Sequence, residues 1–164
     1  MKKSIITGAS FGLVSGVLTT LGLLIGLEVS TQSKLAVISG IITIAIADAL
    51  SDAFGMHLSQ ESSETNSAKS VWVATVSTFL SKFMFALTFL IPILFLDMNL
   101  AIPVSILWGL LLIFYLSYLI SKRKGNGGKE FIGVITEHLL LFVLVIISSY
   151  LVGRLLSNTF QIRF

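Results

Sequence analysis

Two long stretches of this sequence contain no charged residue, and they constrain the fold more than any other feature. The stretches are Ser4–Leu27 and Met98–Ser121. Each is longer than the roughly 20 apolar residues that a helix needs to cross the hydrocarbon core of a membrane. A chain in lipid must satisfy its own backbone hydrogen bonds, which a helix does. We therefore expect an integral, multi-pass membrane protein of the all-α class.

Three further apolar stretches contain charged residues and bring the expected number of spans to five. They are Leu35–His57 with Asp48 and Asp52, Val71–Leu96 with Lys82, and Phe131–Val152 with Glu137. We place the spans at about residues 5–27, 35–57, 71–96, 101–120 and 131–152. Together they form one expected transmembrane domain over residues 1–164.

The segments between the spans are short and rich in polar or turn-forming residues. They are predicted as links at Glu28–Lys34, Ser59–Ser70, Asp97–Ala101 and Ser121–Glu130. Pro103 follows the third of these links, which suits the first turn of a helix. An odd number of spans puts the two ends of the chain on opposite sides of the membrane.

Composition narrows the possible functions and predicts the orientation. Charged residues make up 12% of the chain, cysteine is absent and the net charge is +3, which argues against disulfide scaffolds, thiolate metal sites and nucleic-acid partners. No nucleophile–base pair or nucleotide-binding loop is evident, so we expect neither an enzyme nor a cofactor. Cytoplasmic loops carry more lysine and arginine. A cytoplasmic amino terminus puts seven such residues inside (Lys2, Lys3, Lys69, Lys122, Arg123, Lys124, Lys129) and three outside (Lys34, Arg154, Arg163).

The second span contains the strongest chemical signal. Asp48, Asp52 and Met56 are four residues apart and therefore share one face of a helix. A carboxylate near the centre of a bilayer costs about 2.5–3.5 kcal/mol, so both acids need partners. They could bind a cation or exchange protons, and a purely structural pairing with Lys82 is the alternative. The Met56 thioether beside carboxylate oxygen favours a borderline divalent ion such as Fe²⁺.

Other acids are candidates for the same pathway. Glu137 lies inside the fifth expected span and is a second candidate for an acid facing Asp52 and Lys82. Glu61 and Glu64 follow the second span and could collect cations at the mouth of a pathway, although a solvated polar loop explains them better.

Small residues recur at every fourth position of the first span. Gly8, Gly12 and Gly16 form one row, and Gly22 and Gly26 form another. This spacing lets two membrane helices approach closely. The partner is either a second copy of the chain or another span of the same chain.

Four segments of the sequence resemble the vacuolar iron transporter family. They are GLVSGVLTTLGLLIGL (12–27), ADALSDAFGMHLSQESSE (47–64), TFLSKFMFALTFLIPILF (78–95) and EHLLLFVLVIISSYLVGRLL (137–156). The resemblance implies five spans with a cytoplasmic amino terminus and a homodimer through the first span, with Gly8, Gly12 and Gly16 at the interface. It also implies export of Fe²⁺ or Mn²⁺ from the cytosol in exchange for protons. The membrane would be the cell membrane in a prokaryote and a vacuolar-type membrane in a eukaryote.

The chain departs from the family pattern at several positions. Phe11 stands where the family has an aspartate, and it would constrict a pathway at the first span. Asp52 and Met56 stand where the family has methionine and glutamate, in that order. The glutamate-rich cytoplasmic domain of many members is missing between the second and third spans. A membrane scaffold or regulator that does not transport, with Phe11 blocking the pathway, is therefore the alternative function.

Overall fold

The computed structural model describes residues 1–63, 66–124 and 128–160, which form helices and no strand. The helices are α1 (Lys2–Thr31), α2 (Lys34–Glu61), α3 (Ala68–Thr88), α4 (Leu90–Phe95), α5 (Met98–Lys124) and α6 (Gly128–Phe160). Five helical segments are long and apolar enough to cross a membrane, with α3 and α4 together making the third. The predicted five-span, all-α architecture is confirmed.

The helices extend further than the apolar stretches from which they were predicted. The predicted link at Glu28–Lys34 was wrong in its first half, because α1 continues to Thr31. The turn is confined to Gln32, which has a left-handed backbone conformation with φ 51°, and to Ser33, whose side chain accepts a hydrogen bond from the Ala36 amide at 3.2 Å. Glu28 therefore lies in the last turn of a helix.

The two prolines have different effects on their spans. Pro92 has no N–H to donate to the Thr88 carbonyl, and the helix breaks there into α3 and α4. At the break the Phe89 amide donates instead to the Ala86 carbonyl at 3.2 Å. Pro103 lies inside α5 rather than in its first turn, because α5 begins at Met98.

α1 is the centre of the bundle, and its glycines pack against helices of the same chain. The first row meets the backbone of α3 at matching positions, in the pairs Gly8–Ala74, Gly12–Thr78 and Gly16–Lys82. Two interhelical hydrogen bonds support this contact, from Ser81 Oγ to the Ala9 carbonyl at 2.8 Å and between the Ser4 and Ser70 hydroxyls at 3.2 Å. The second row, Gly22 and Gly26, packs against Ser149 and Gly153 of α6.

This packing corrects the assignment of Gly8, Gly12 and Gly16 to a dimer interface. Their face of α1 is already covered by α3, so no second copy can approach it without separating the two helices. The glycine spacing allowed a contact either with a second copy of the chain or with another span of the same chain. The structure shows the second kind of contact, with α3 as the partner.

α2 is packed on one side only. Its buried residues, such as Val37, Ile41, Ala45 and Ala49, face α1 and α3. The other side is exposed, and small or hydroxyl residues recur along it at every fourth position. We call this side the open face of α2; its small residues are Ser39, Thr43, Ala47, Ser51, Gly55 and Ser59.

Candidate cation site between α1, α2 and α3

Two carboxylates and one ammonium group meet in the middle of the bundle. Asp48 and Asp52 lie one turn apart on α2, whose midpoint falls between Ala47 and Asp48. Lys82 comes from α3 and is only 1% exposed. The glycine contact brings α1 and α3 close enough for Ser15 of α1 to join the group. We call Asp48, Asp52, Lys82 and Ser15 the charged cluster.

The Lys82 ammonium contacts every other member of the charged cluster. Its Nζ lies 2.5 Å from Asp48 Oδ2, 2.6 Å from Asp52 Oδ2 and 2.9 Å from Ser15 Oγ. An ammonium group has three N–H donors, so these three acceptors use all of them. The Ser15 hydroxyl in turn donates to Asp52 Oδ2 at 2.5 Å. The Oδ2 atom of each aspartate therefore lies within 2.6 Å of at least one hydrogen-bond donor.

The charges of the cluster do not cancel. Two ionised carboxylates and one ammonium leave a net charge of −1 inside the membrane-spanning part of the protein. Neither Oδ1 oxygen has a hydrogen bond from a residue in the described ranges. The side chain of Asp48 is 32% exposed and that of Asp52 is 21% exposed. The carboxylates are therefore covered by Lys82 on one side and accessible on the other, beside the open face of α2.

The other predicted ligands on α2 are less closely associated with the cluster. Met56 is buried, one turn from Asp52 on the same helix. Glu61 is 65% exposed at the end of α2, with one oxygen 4.0 Å from His57 Nε2. Glu64 lies outside the described residues. Glu61 is therefore at the carboxyl-terminal end of α2, well separated from the acids.

The prediction that Glu137 faces Asp52 and Lys82 was wrong. Glu137 is exposed on α6, and α6 packs mainly against α1 and α5 rather than against α2 or α3. Within the described ranges, no three His, Asp or Glu side chains are grouped as metal ligands usually are. Any metal site here must use the two aspartates with Ser15, the Met56 thioether, water or a second copy of the chain.

Phe11 lies beside the cluster rather than in the packed interior. It is 45% exposed and stands one turn before Ser15 on the same face of α1. The same face carries Thr7 and Thr19. Because its ring is exposed, Phe11 would constrict a passage only if a partner covered this face.

The sequence singled out the two aspartates and Lys82 but did not identify the role of Ser15. A serine in an apolar helix commonly bonds to its own backbone, so its type and position did not distinguish it from Thr19. Thr19 does bond back to the Ser15 carbonyl at 2.8 Å, whereas Ser15 reaches across to α2 and α3.

Comparison of this chain with known proteins finds no family model, no curated protein and no solved structure that matches it. The likeness to vacuolar iron transporters therefore remains an expectation that rests on the motifs quoted above. We infer the function from the chemistry of the charged cluster.

Proposed function

We propose that this protein is a membrane transporter of a divalent cation, with Asp48 and Asp52 as the charged ligands. The observation that carries the proposal is the charged cluster, with its net charge of −1, its unused Oδ1 oxygens and its one open side. Acids within membrane spans are rare, costly and commonly mark ion pathways. A cation that approaches from the open side would meet two carboxylates at once and would be attracted by the remaining negative charge.

The identity of the ion follows from ligand chemistry and from the family resemblance. Ligand chemistry favours a borderline ion such as Fe²⁺. The resemblance implies Fe²⁺ or Mn²⁺ as the ion and its export from the cytosol in exchange for protons. Met56 would add a soft sulfur one turn from Asp52, which suits Fe²⁺ better than Mg²⁺. Glu61 and Glu64 would collect ions at the cytoplasmic end of α2.

Single asparagine variants test the role of the acids without breaking the cluster. Asp48→Asn or Asp52→Asn leaves one carboxylate paired with one ammonium, so the charges then cancel and we expect the fold to persist. Metal flux should fall at least about tenfold, because one of two charged ligands is lost. Flux is measured in proteoliposomes with Fe²⁺ or Mn²⁺ outside and a metal-sensitive dye within, and a second, pH-sensitive dye reports proton exchange.

The matched control is Glu137→Gln, which removes an exposed acid from α6, away from the charged cluster. Flux through this variant should stay within a factor of two or three of the parent rate. Folded Asp48→Asn and Asp52→Asn proteins that both transport at the parent rate would remove this face of α2 from the pathway.

A second function is favoured by the position of Lys82. Its ammonium lies between the two carboxylates, where a bound cation would also sit. In a membrane scaffold or regulator that does not transport, the ion pairs of Lys82 would only stabilise the contact between α3 and α2. Purified protein that shows no flux of Fe²⁺, Mn²⁺ or protons under any gradient, while its cluster variants are destabilised, would favour this alternative.

We also propose that the active form is a homodimer, with the second copy seated on the open face of α2. A carboxylate that is 32% exposed toward hydrocarbon needs polar cover. Small residues at every fourth position beside it permit a close helix contact. The Phe11 face of α1 would then border the interface and narrow the route to the cluster.

Cysteine crosslinking in native membranes tests this interface, because the chain has no cysteine of its own. Ser51→Cys lies on the open face, and its copies should form a disulfide-linked dimer under mild oxidation. Leu144→Cys, on the exposed surface of α6, is the control and should remain monomeric. A crosslinked dimer from Leu144→Cys but not from Ser51→Cys would place the contact on α6. Failure of both variants to form a dimer would contradict a homodimer through α2.

A further inference from the structure

A second polar feature lies where the end of α1 meets α5 and α6. These three helices enclose a cavity of about 460 Å³. Its walls are mainly aliphatic, including Ile25, Ile102 and Ile146, and its few polar groups come from Glu28, Asn99 and Tyr150. The volume lies within the range of roughly 300–1,000 Å³ that is usual for small-molecule sites. The cavity is separate from the charged cluster, with which it shares no residue.

Glu28 is the unusual member of this cavity. Its Oε2 atom is buried and has no hydrogen-bond partner in the part of the chain that the structure describes. A buried carboxylate oxygen is costly unless a donor or a cation pairs with it. Glu28 also lies in the last turn of α1, where the helix dipole disfavours a negative charge. Both effects disfavour an isolated negative charge here, and a positively charged partner beside the carboxylate would offset them.

A second acceptor faces the same space. Pro103 has no N–H, so the Asn99 carbonyl has no donor four residues further along α5. Asn99 and Pro103 both line the cavity with Glu28. A group with several N–H donors and a positive charge could therefore bond to the Glu28 carboxylate and to α5 together. An ammonium group has these properties.

The nearby lysine of the chain is engaged elsewhere. Lys34 Nζ donates to the carbonyls of Leu96 at 3.1 Å and Leu94 at 3.5 Å. On the side of α6, the cavity wall includes Ile147 and Tyr150, which are about half exposed on the outer surface of the bundle. A ligand can therefore enter from the bilayer, and its apolar part would contact the aliphatic wall.

We propose that this cavity binds a single-chain amphiphile with an ammonium head. The ammonium donates hydrogen bonds to the Glu28 carboxylate and the Asn99 carbonyl, and the alkyl chain lies against the isoleucines of α1, α5 and α6. The site does not depend on the transport function proposed for the charged cluster.

Binding of radiolabelled dodecylammonium to the protein in phosphatidylcholine nanodiscs tests the proposal, with empty nanodiscs measuring partition into lipid. The parent protein should bind it saturably, and Glu28→Gln should weaken binding about tenfold or more, because a charge-assisted contact is lost while the side-chain shape is kept. Dodecanol, which has the same chain and no charge, should bind parent and variant alike. Glu137→Gln removes an exposed acid from α6 outside the cavity and should bind dodecylammonium as the parent does.

Three results would overturn the proposal. The first is equal affinity of parent and Glu28→Gln for dodecylammonium, which would show that Glu28 does not recognise the head. The second is equal affinity of the parent for dodecylammonium and dodecanol, which would reduce the cavity to an apolar groove. The third is full displacement by phosphatidylethanolamine added to the nanodiscs, which would make a two-chain lipid the occupant. The thermal unfolding midpoint of Glu28→Gln should match or exceed that of the parent, which verifies its fold.

Discussion

Replacing Lys82 with methionine should cost about 3–5 kcal/mol of folding free energy, because it leaves two partly buried carboxylates without their cation. The lysine is 1% exposed, and its ammonium binds both acids and Ser15 at 2.5–2.9 Å. In a chain of this size such a loss lowers the midpoint of thermal unfolding by roughly 10 °C or more. The midpoint is measured on purified protein in a mild detergent.

A triple variant separates the effect of charge from the effect of side-chain shape. Lys82→Met combined with Asp48→Asn and Asp52→Asn removes all three charges and keeps similar volumes. It should recover most of the lost stability, since a buried ion group replaced as a whole is often neutral. A Lys82→Met protein as stable as the parent would mean that the three charges do not interact in the membrane.

Adding one methyl group at Gly12 should separate α1 from α3 and cost about 2–3 kcal/mol. A Cβ at this position would overlap the Thr78 carbonyl oxygen, which belongs to the backbone and cannot rotate away. The Gly12→Ala protein should also hold Lys82 less well against Ser15, because the same contact between α1 and α3 brings these residues together. Thermal unfolding and flux should therefore decline together in this variant.

Gly133→Ala is the matched control for that substitution. Gly133 lies in α6, and a Cβ there would meet no atom of the described residues within 4 Å. Because alanine favours a helix over glycine by about 1 kcal/mol, the control should be neutral or slightly more stable. Equal effects of the two substitutions would contradict the close packing of the glycine row against α3.

The number and order of the spans could be predicted from the sequence because lipid tolerates few alternatives to an apolar helix. The ends of the helices were harder to predict. Glu28 and Thr31 are polar and suggested a link, yet polar residues near the end of a span continue a helix without penalty once they leave the hydrocarbon core. A prediction based on hydropathy therefore stops where the apolar residues stop, and α1 does not.

The partners of helix faces could be predicted only in part. Opposite charges in neighbouring spans offered the pairing of Lys82 with the aspartates as one alternative, because an unpaired charge in lipid is so costly. The glycine spacing of α1 predicted a close contact but not which helix makes it, since the same pattern serves contacts within and between chains. Glu137 was placed incorrectly because hydropathy predicts that α6 spans the membrane but not which neighbouring helices each of its faces meets.

The charged cluster has a consequence for how the protein enters its membrane. Its acids and its base lie on consecutive spans, and Lys82 follows Asp52 by 30 residues. Ribosomes add about 5–20 residues per second, so Lys82 is synthesised roughly 1.5–6 s after Asp52. During that time the two carboxylates of α2 oppose release into lipid by about 2.5–3.5 kcal/mol each. We expect α2 to remain beside the insertion machinery until α3 emerges, so that the two helices leave together as a hairpin with its charges already paired.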